Sequence, residues 1–158
     1  MTTMADNSDH PDVIAMPPYI MLAFLVAGLA LDAVWPAPVL TGTTQYLVGP
    51  LLFAAGVGLM AAAMGRFSAA GTNVPTPLPA TAIVTDGPYK LTRNPIYVSI
   101  ALGFAGIAVT VDSLWLMALV VPFMAVIQVG VVKREERYLE NKFGDAYGSY
   151  RASVRRWI

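Results

Sequence analysis

The sequence contains no cysteine and few charged residues. Without cysteine there can be no disulfide, no catalytic thiolate and no Cys-ligated zinc, and we predict no metal site. Charged residues make up 13% of the 158 residues, against about a quarter in soluble domains. Ten basic residues balance ten acidic ones. We expect no nucleic-acid partner, because neutralising phosphates needs a basic surface.

Histidine is also scarce. The single one, His10, lies in residues 1–18, a polar stretch that contains three aspartates and several prolines. We predict that this stretch is a disordered acidic tail, and it lacks the basic n-region of a secretory signal. His10 is expected to be solvated rather than to act as a ligand or a base.

The apolar residues, 56% of the chain, are concentrated in four runs that approach the ~20 residues needed to cross a hydrocarbon core. None alternates with a period of two, which favours helices over barrel strands. We therefore predict an all-α polytopic membrane protein with one domain over residues 19–158. Its four transmembrane helices are predicted at 19–35, 45–64, 95–111 and 114–132.

All the basic residues fall between the second and third spans or after the fourth, while the links at 36–44 and 112–113 have none. Lysine and arginine near helix ends mark the cytoplasmic side. We predict a plasma or inner membrane protein with both termini in the cytoplasm.

Within the spans, Asp32 and Gln128 are candidate functional residues because intramembrane polar groups are costly. Each also has a simpler explanation. Asp32 lies near the outer interface, where it could reach water, and Gln128 could form a hydrogen bond between helices.

The loop at 66–94 is rich in proline and is expected to lie on the bundle or at the membrane interface rather than to be a free linker. It ends in a first polar block, residues 87–97. Asn94 is a good N-cap and Pro95 suits the first helical position. The helix start beside Arg93 would suit an anion, although Arg93 could equally meet lipid headgroups.

A second polar block, residues 133–151, continues past the fourth span as a helical tail to residue 158. Helical phase places Glu136 on a stripe with Leu139 and Phe143, and Glu135 on another with Tyr138 and Lys142. We predict that Glu136 faces inward and that Glu135 is more exposed. The end of the tail, with Tyr147, Tyr150, Val154 and Trp157, is predicted to be a short interfacial helix.

The two blocks together resemble the isoprenylcysteine carboxyl methyltransferase family and its phospholipid N-methyltransferase relatives, from about residue 72 to the end. The shared pattern is Gly87-Pro88-Tyr89, Arg93-Asn94-Pro95-x-Tyr97 and, after a helical hairpin, Glu135-Glu136-x-x-Leu139-x-x-x-Phe143-Gly144-x-x-Tyr147-x-x-Tyr150. The resemblance implies a membrane enzyme that binds S-adenosylmethionine at the cytosolic face. It also implies a lipophilic methyl acceptor, such as an isoprenylcysteine-like carboxylate or another lipid nucleophile.

Carried onto this chain, the resemblance implies a cofactor site that uses both blocks. Its residues would be Gly87, Pro88, Tyr89, Arg93, Asn94, Tyr97, Glu135, Glu136 and Tyr147. Of these, Arg93, Asn94 and Glu136 are the candidate catalytic residues. Arg93 and the helix start suit the cofactor carboxylate, and Glu136 suits its ammonium or ribose diol.

Many members of the family have histidine where this chain has Asn94, which cannot accept a proton near neutral pH. This departure favours an acceptor that is already anionic or polarisable; an amine would need Glu136, Tyr89 or water as the base. Two other functions remain open. One is an NADPH-dependent membrane reductase of the sterol-reductase type, which has a similar Arg-(His/Asn)-Pro motif; the other is a non-enzymatic four-helix transporter that uses Asp32.

Overall fold

A computed structural model describes residues 9–40, 42–74 and 78–158, and within these ranges the secondary structure is entirely helical. This confirms the predicted all-α class for the described residues. The elements in chain order are α1 (Pro17–Val34), α2 (Thr44–Ala69), a 3₁₀ turn (Gly87–Lys90), α3 (Pro95–Val111), α4 (Leu114–Ile127), a π turn (Gln128–Val132), α5 (Lys133–Phe143) and α6 (Asp145–Ser153).

Three helices are long and apolar enough to cross a membrane: Pro17–Val34, Thr44–Ala69 and the continuous helix Leu114–Phe143, which joins α4, the π turn and α5. Large apolar side chains such as Leu22, Val26 and Leu51 lie exposed on their outer faces, as expected where lipid is the solvent. α3 is apolar but has 17 residues, or about 26 Å at 1.5 Å per residue. The chain is a membrane protein; its fourth span stays a prediction.

The helices pack through small residues and aromatic rings. α3 packs against both α2 and α4, and α1 packs against α4. At Gly56 of α2, an added Cβ would lie 2.7 Å from the carbonyl oxygen of Ser99 in α3, so only glycine permits this approach. On the other side of α3, the Phe104 and Phe123 rings meet edge to face at 5.3 Å. These contacts hold α3 between α2 and α4.

Residues 9–16 have a defined path, unlike the disordered tail predicted for 1–18, whose first eight residues lie outside the described ranges. The backbone N–H of Ile14 donates to the carbonyl of Gly130 in the π turn at 3.2 Å. Asp9 accepts a hydrogen bond from Lys142 of α5 at 2.6 Å. The His10 ring is exposed, and its Nδ1 lies 3.4 Å from the carbonyl oxygen of Pro11. Helix α1 begins at Pro17.

The loop after α2 lies on the bundle as predicted, in its parts outside residues 75–77, which are not described. The Thr72 hydroxyl accepts the backbone N–H groups of Thr81 and Ala82 at 2.8 and 3.2 Å. The Tyr138 hydroxyl of α5 accepts the N–H of Ala80 at 3.2 Å. These bonds hold the apolar residues Ile83 and Val84 against the helices that carry the two polar blocks.

The tail after α5 differs from the predicted interfacial helix. α6 ends at Ser153, and residues 154–158 cross in a non-helical path to the start of α3. Tyr147 and Tyr150 are buried, with 2% and 8% of their surface exposed. Trp157 donates its indole N–H to Gln128 at 2.8 Å. The tail therefore covers the bundle end, because its aromatic residues find protein partners rather than headgroups.

Candidate active site

The first polar block forms a turn that prepares the start of α3. Gly87 has a φ of 57°, a left-handed conformation that glycine adopts without strain, and Pro88 is the second residue of the 3₁₀ turn. The turn directs Tyr89 inward, where its ring meets Phe67 of α2 edge to face at 5.5 Å. Gly87 and Pro88 therefore shape the backbone and do not line the cavity described below.

Asn94 occupies the N-cap position of α3, and Pro95 is its first residue, as predicted. The Asn94 side chain, however, does not cap the helix. Its amide donates to the carbonyl of Arg156 at 3.0 Å, and the Thr92 hydroxyl donates to the same oxygen at 2.9 Å. The N–H of Arg93 donates to the carbonyl of Arg155 at 2.9 Å. Asn94 thus ties the C-terminal segment to the start of α3.

Arg93 is a buried cation with unused donors. Its side chain is 8% exposed, and its Nη2 lies 3.3 Å from Oε1 of Glu136. Its Nε and Nη1 are buried and have no hydrogen-bond partner among the described residues. Burying charged donors without partners costs free energy. This arrangement is typical of a group that receives an anion from outside the protein.

Glu136 faces inward as predicted, and two arginines neutralise it. Besides Arg93, it accepts two parallel hydrogen bonds from Arg156, from Nε at 3.0 Å and from Nη2 at 2.7 Å. Such bidentate pairs fix orientation. Glu136 therefore positions both guanidinium groups, and Arg156 is a site residue that was not among the nine predicted ones.

The predicted exposure of Glu135 is wrong, since only 7% of this residue is exposed. Its Oε1 accepts the hydroxyl hydrogen of Tyr97 in α3 at 2.6 Å. The helical phase of α5 predicted one inward stripe, but the start of α3 covers one side of the helix and the C-terminal segment covers another. Both adjacent acids are consequently buried, with different partners.

Three tyrosines close the site on the α6 side. The Tyr150 hydroxyl donates to the carbonyl of Tyr89 at 2.8 Å, and the Tyr147 and Tyr150 rings meet at 6.1 Å. Burial, and next the negative charge of Glu136, raise the pKa of Tyr147 to about 12. Burial likewise raises the pKa of Tyr89 and of Tyr150. All three are therefore neutral donors with apolar ring faces, and Tyr89 is a poor base.

These groups surround one cavity of about 70 Å³. Seven of the nine predicted cofactor residues line it, all except Gly87 and Pro88. The residues of its apolar wall were not predicted as part of the site, because isolated apolar residues in a membrane chain carry no distinguishing signal. That wall and the remaining lining are formed by Phe67, Val74, Ala82, Ile83, Val84, Pro95, Ile96, Leu139 and Tyr150.

Asp32 and Gln128 do not line this cavity. Asp32 lies near the C-terminal end of α1, and its Oδ1 is buried without a hydrogen-bond partner among the described residues. Gln128 accepts the Trp157 indole N–H and so holds the C-terminal segment. Gln128 therefore makes a structural hydrogen bond, as the interhelical alternative proposed, but its partner Trp157 belongs to a non-helical segment.

The family model described as phospholipid methyltransferase matches residues 44–146, which is more than half of the chain. The match begins at the start of α2 and ends in α6, so it includes both polar blocks and the helices between them. No solved structure matches the chain.

Similar proteins of known sequence include two named for metal resistance. The cobalt-zinc-cadmium resistance protein CzcN of Cupriavidus metallidurans is 34% identical over 61% of this chain and 44% of its own length. The nickel-cobalt-cadmium resistance protein NccN of Alcaligenes xylosoxydans xylosoxydans is 31% identical over 40% and 30%. An uncharacterized protein of Haemophilus influenzae is 51% identical over 25% and 62%. The chain thus spans less than two thirds of the length of these relatives.

Proposed function

Because this chain belongs to the phospholipid methyltransferase family, we propose that its cavity binds S-adenosylmethionine and that it methylates a lipophilic acceptor at the membrane surface. The observation that carries the proposal is the pair of unpartnered donors, Nε and Nη1, on the buried side chain of Arg93. The cofactor has a carboxylate that these donors fit, and when bound it supplies an electrophilic methyl group.

The remaining lining residues suit the other parts of the cofactor. Glu135, oriented by the Tyr97 hydroxyl, offers a carboxylate for the ammonium or the ribose diol. Glu136 is engaged by two arginines, so we reassign it from a cofactor ligand to a residue that positions Arg93. The tyrosine rings provide π faces for the sulfonium. Phe67, Val84 and Leu139 exclude water from this end of the cavity.

The cavity has no good general base, and this limits which substrates can accept the methyl group. The Asn94 amide is a donor to Arg156, and Tyr89, Tyr147 and Tyr150 hold their protons through burial. Glu135 already accepts a hydrogen bond at 2.6 Å. A methyl-accepting substrate that needs no deprotonation, such as a carboxylate or a thiolate, therefore fits better than one that carries an ammonium group.

The cavity must enlarge to bind the cofactor. At about 70 Å³ it is smaller than the ~300–1,000 Å³ typical of ligand pockets. The wall with the fewest regular hydrogen bonds is the loop containing Ala82, Ile83 and Val84, because it lies outside any helix. We propose that this loop moves outward on binding while the helices keep their positions.

We propose that the site faces the cytosol, where S-adenosylmethionine is made. Arg66 lies in the last turn of α2, Arg93 precedes α3 and Arg134 lies in the first turn of α5, so these basic residues share one end of the bundle. The positive-inside rule assigns that end to the cytoplasm. Both termini would then be cytoplasmic, which requires α3 to be the fourth span.

Calorimetry with S-adenosylhomocysteine on the full chain in lipid nanodiscs tests the proposal. We expect binding by the unmodified protein and a loss of roughly 10- to 100-fold in Arg93→Ala, the usual range for a charge-assisted hydrogen bond. Arg156 still neutralises Glu136 in this variant. Lys133→Ala, which removes an exposed cation from α5, should bind normally.

Each contrary result has a distinct meaning. If the folded protein binds NADPH and not S-adenosylhomocysteine, it is a reductase and the proposal fails. Binding that is equal in Arg93→Ala and Lys133→Ala would instead place the cofactor elsewhere. Two relatives are named for metal resistance, but we propose no metal-related function for this chain because no specific observation favours one. In residues 9–40, 42–74 and 78–158, no three or more His, Cys, Asp or Glu side chains form a group that could hold a metal ion.

A further inference from the structure

A second groove, of about 460 Å³, lies on another side of the start of α3 and shares no lining residue with the first cavity. Its apolar floor includes Leu59 of α2 and Val98 of α3, and its rim carries Lys90 and Arg155. Leu91 and Ile158 also line it and are 75% and 85% exposed. The groove contains no acidic side chain.

Lys90 and Arg155 are cations without a counter-ion. Neither takes part in any ion pair among the described residues, whereas six other basic residues do: Arg66, Arg93, Arg134, Lys142, Arg151 and Arg156. Both backbone positions are fixed. The carbonyl of Tyr89 accepts the Tyr150 hydroxyl next to Lys90, and the carbonyl of Arg155 itself accepts the Arg93 N–H.

The groove is therefore amphipathic, with two positive charges above an apolar surface. Its floor belongs to helices that are apolar along their length, and its rim lies at the helix ends. This is the level at which lysine and arginine reach lipid headgroups while their stems stay on apolar surface. A ligand that complements the groove needs an anionic head and an acyl chain.

We propose that this groove binds one anionic phospholipid of the surrounding bilayer, with its head between Lys90 and Arg155 and its acyl chain over Leu59 and Val98. The proposal does not depend on methyl transfer, since the two cavities have separate linings. The lipid fastens the turn before α3 to the C-terminal segment, because one cation comes from each.

Native mass spectrometry of the full chain in neutral detergent tests this with phosphatidylglycerol and phosphatidylcholine of identical acyl chains. We expect one retained phosphatidylglycerol and weaker retention of phosphatidylcholine. Lys90→Gln with Arg155→Gln should lower phosphatidylglycerol affinity about 25-fold, or about fivefold for each charge near an anionic surface. The matched control is Lys133→Gln with Arg137→Gln, which removes two exposed cations from α5.

Four results would overturn the proposal. If both double variants lost phosphatidylglycerol affinity equally, the lipid would be attracted only by the general positive charge of the protein. Equal retention of the two lipids would remove the role of the anionic head. Displacement of the lipid by inorganic phosphate at the same concentration would make the site one for free phosphate. If the unmodified protein were a dimer and the Lys90 and Arg155 double variant a monomer, a second copy of the chain would fill the groove. Unchanged binding of S-adenosylhomocysteine would show that the variant is folded.

Discussion

At the scale of single residues, the site is decided by how buried charges are shared. Two acids and two arginines lie together, and Glu136 takes hydrogen bonds or ion pairs from both Arg93 and Arg156. Arg93 keeps two donors that have no hydrogen-bond partner among the described residues, and Glu135 accepts the hydroxyl hydrogen of Tyr97. Helical phase predicts one inward acid, Glu136, whereas both adjacent acids are buried and have different partners.

Replacing Glu135 tests this division. Glu135→Gln removes a buried negative charge while its side-chain oxygen can still accept the Tyr97 hydroxyl. We expect S-adenosylhomocysteine affinity to fall roughly tenfold, since a charge-assisted hydrogen bond is lost. Glu140→Gln, on an exposed position of the same helix, is the control for calorimetry. Equal affinity in the two variants would return the cofactor-binding role to Glu136.

The raised pKa of Tyr147 gives a prediction for pH. The folded protein holds this proton to about pH 12, whereas the unfolded chain releases it near the ordinary value of 10.0. The stability that the neutral, buried phenol provides is therefore complete below pH 10 and is lost as the pH rises toward 12. We expect the thermal midpoint, followed by tryptophan fluorescence, to fall in that range.

Tyr147→Phe lacks the phenol at this one position, so its thermal midpoint should fall less steeply between pH 10 and 12. Tyr19→Phe, on an exposed position of α1, is the matched control and should behave as the unmodified protein. The same slope in all three proteins would contradict burial as the cause of the shift.

At the scale of elements, the start of α3 organises the site because it meets four other pieces of the chain. The 3₁₀ turn precedes it, α2 packs along it through Gly56, α5 presents Glu135 to Tyr97, and the C-terminal segment hydrogen-bonds to it. The π turn lies between α4 and α5. Such turns insert a residue and are frequent near functional sites.

Two glycines of α2 provide a matched pair that tests this packing. Gly56→Leu places a side chain against the α3 backbone, 2.7 Å from the Ser99 carbonyl oxygen, whereas Gly58 has no atom within 4 Å of an added Cβ. We expect Gly56→Leu to lower the free energy of unfolding by about 1–3 kcal/mol, as overpacking usually does. Gly58→Leu should leave it nearly unchanged. Equal denaturation midpoints in detergent would contradict the close approach of α2 and α3.

At the scale of the whole molecule, the chain is a helical membrane protein whose polar chemistry lies at one end. Three helices have the length and apolar composition of membrane spans, and the cavity and the groove both lie around the start of α3. Under the proposed function, this arrangement would give a water-soluble cofactor and a membrane-bound methyl acceptor access to the same end of the protein. The number of spans decides whether the chain termini share that side.

The absence of cysteine makes the topology directly measurable. Single cysteines at Thr43, before α2, and at Thr85, before the 3₁₀ turn, lie on exposed positions. If α2 crosses the membrane as proposed, a membrane-impermeant maleimide should label Thr43→Cys in intact cells and Thr85→Cys only after permeabilisation. Asp112→Cys, after α3, should follow Thr43→Cys. Labelling of Asp112→Cys on the Thr85 side would show that α3 does not cross.

The sequence by itself determined the helical class, the membrane environment, the start of α3 at Asn94-Pro95 and the two blocks that meet at the cavity. These follow from local properties, namely apolar run length, capping preference and the spacing of charged residues. Only the tertiary structure decided the burial of Glu135, the pairing of Arg156 with Glu136 and the bond of Asn94 to the C-terminal segment. Each of these depends on a contact with a segment distant in sequence, residues 154–158 or α3, and local periodicity carries no information about such contacts.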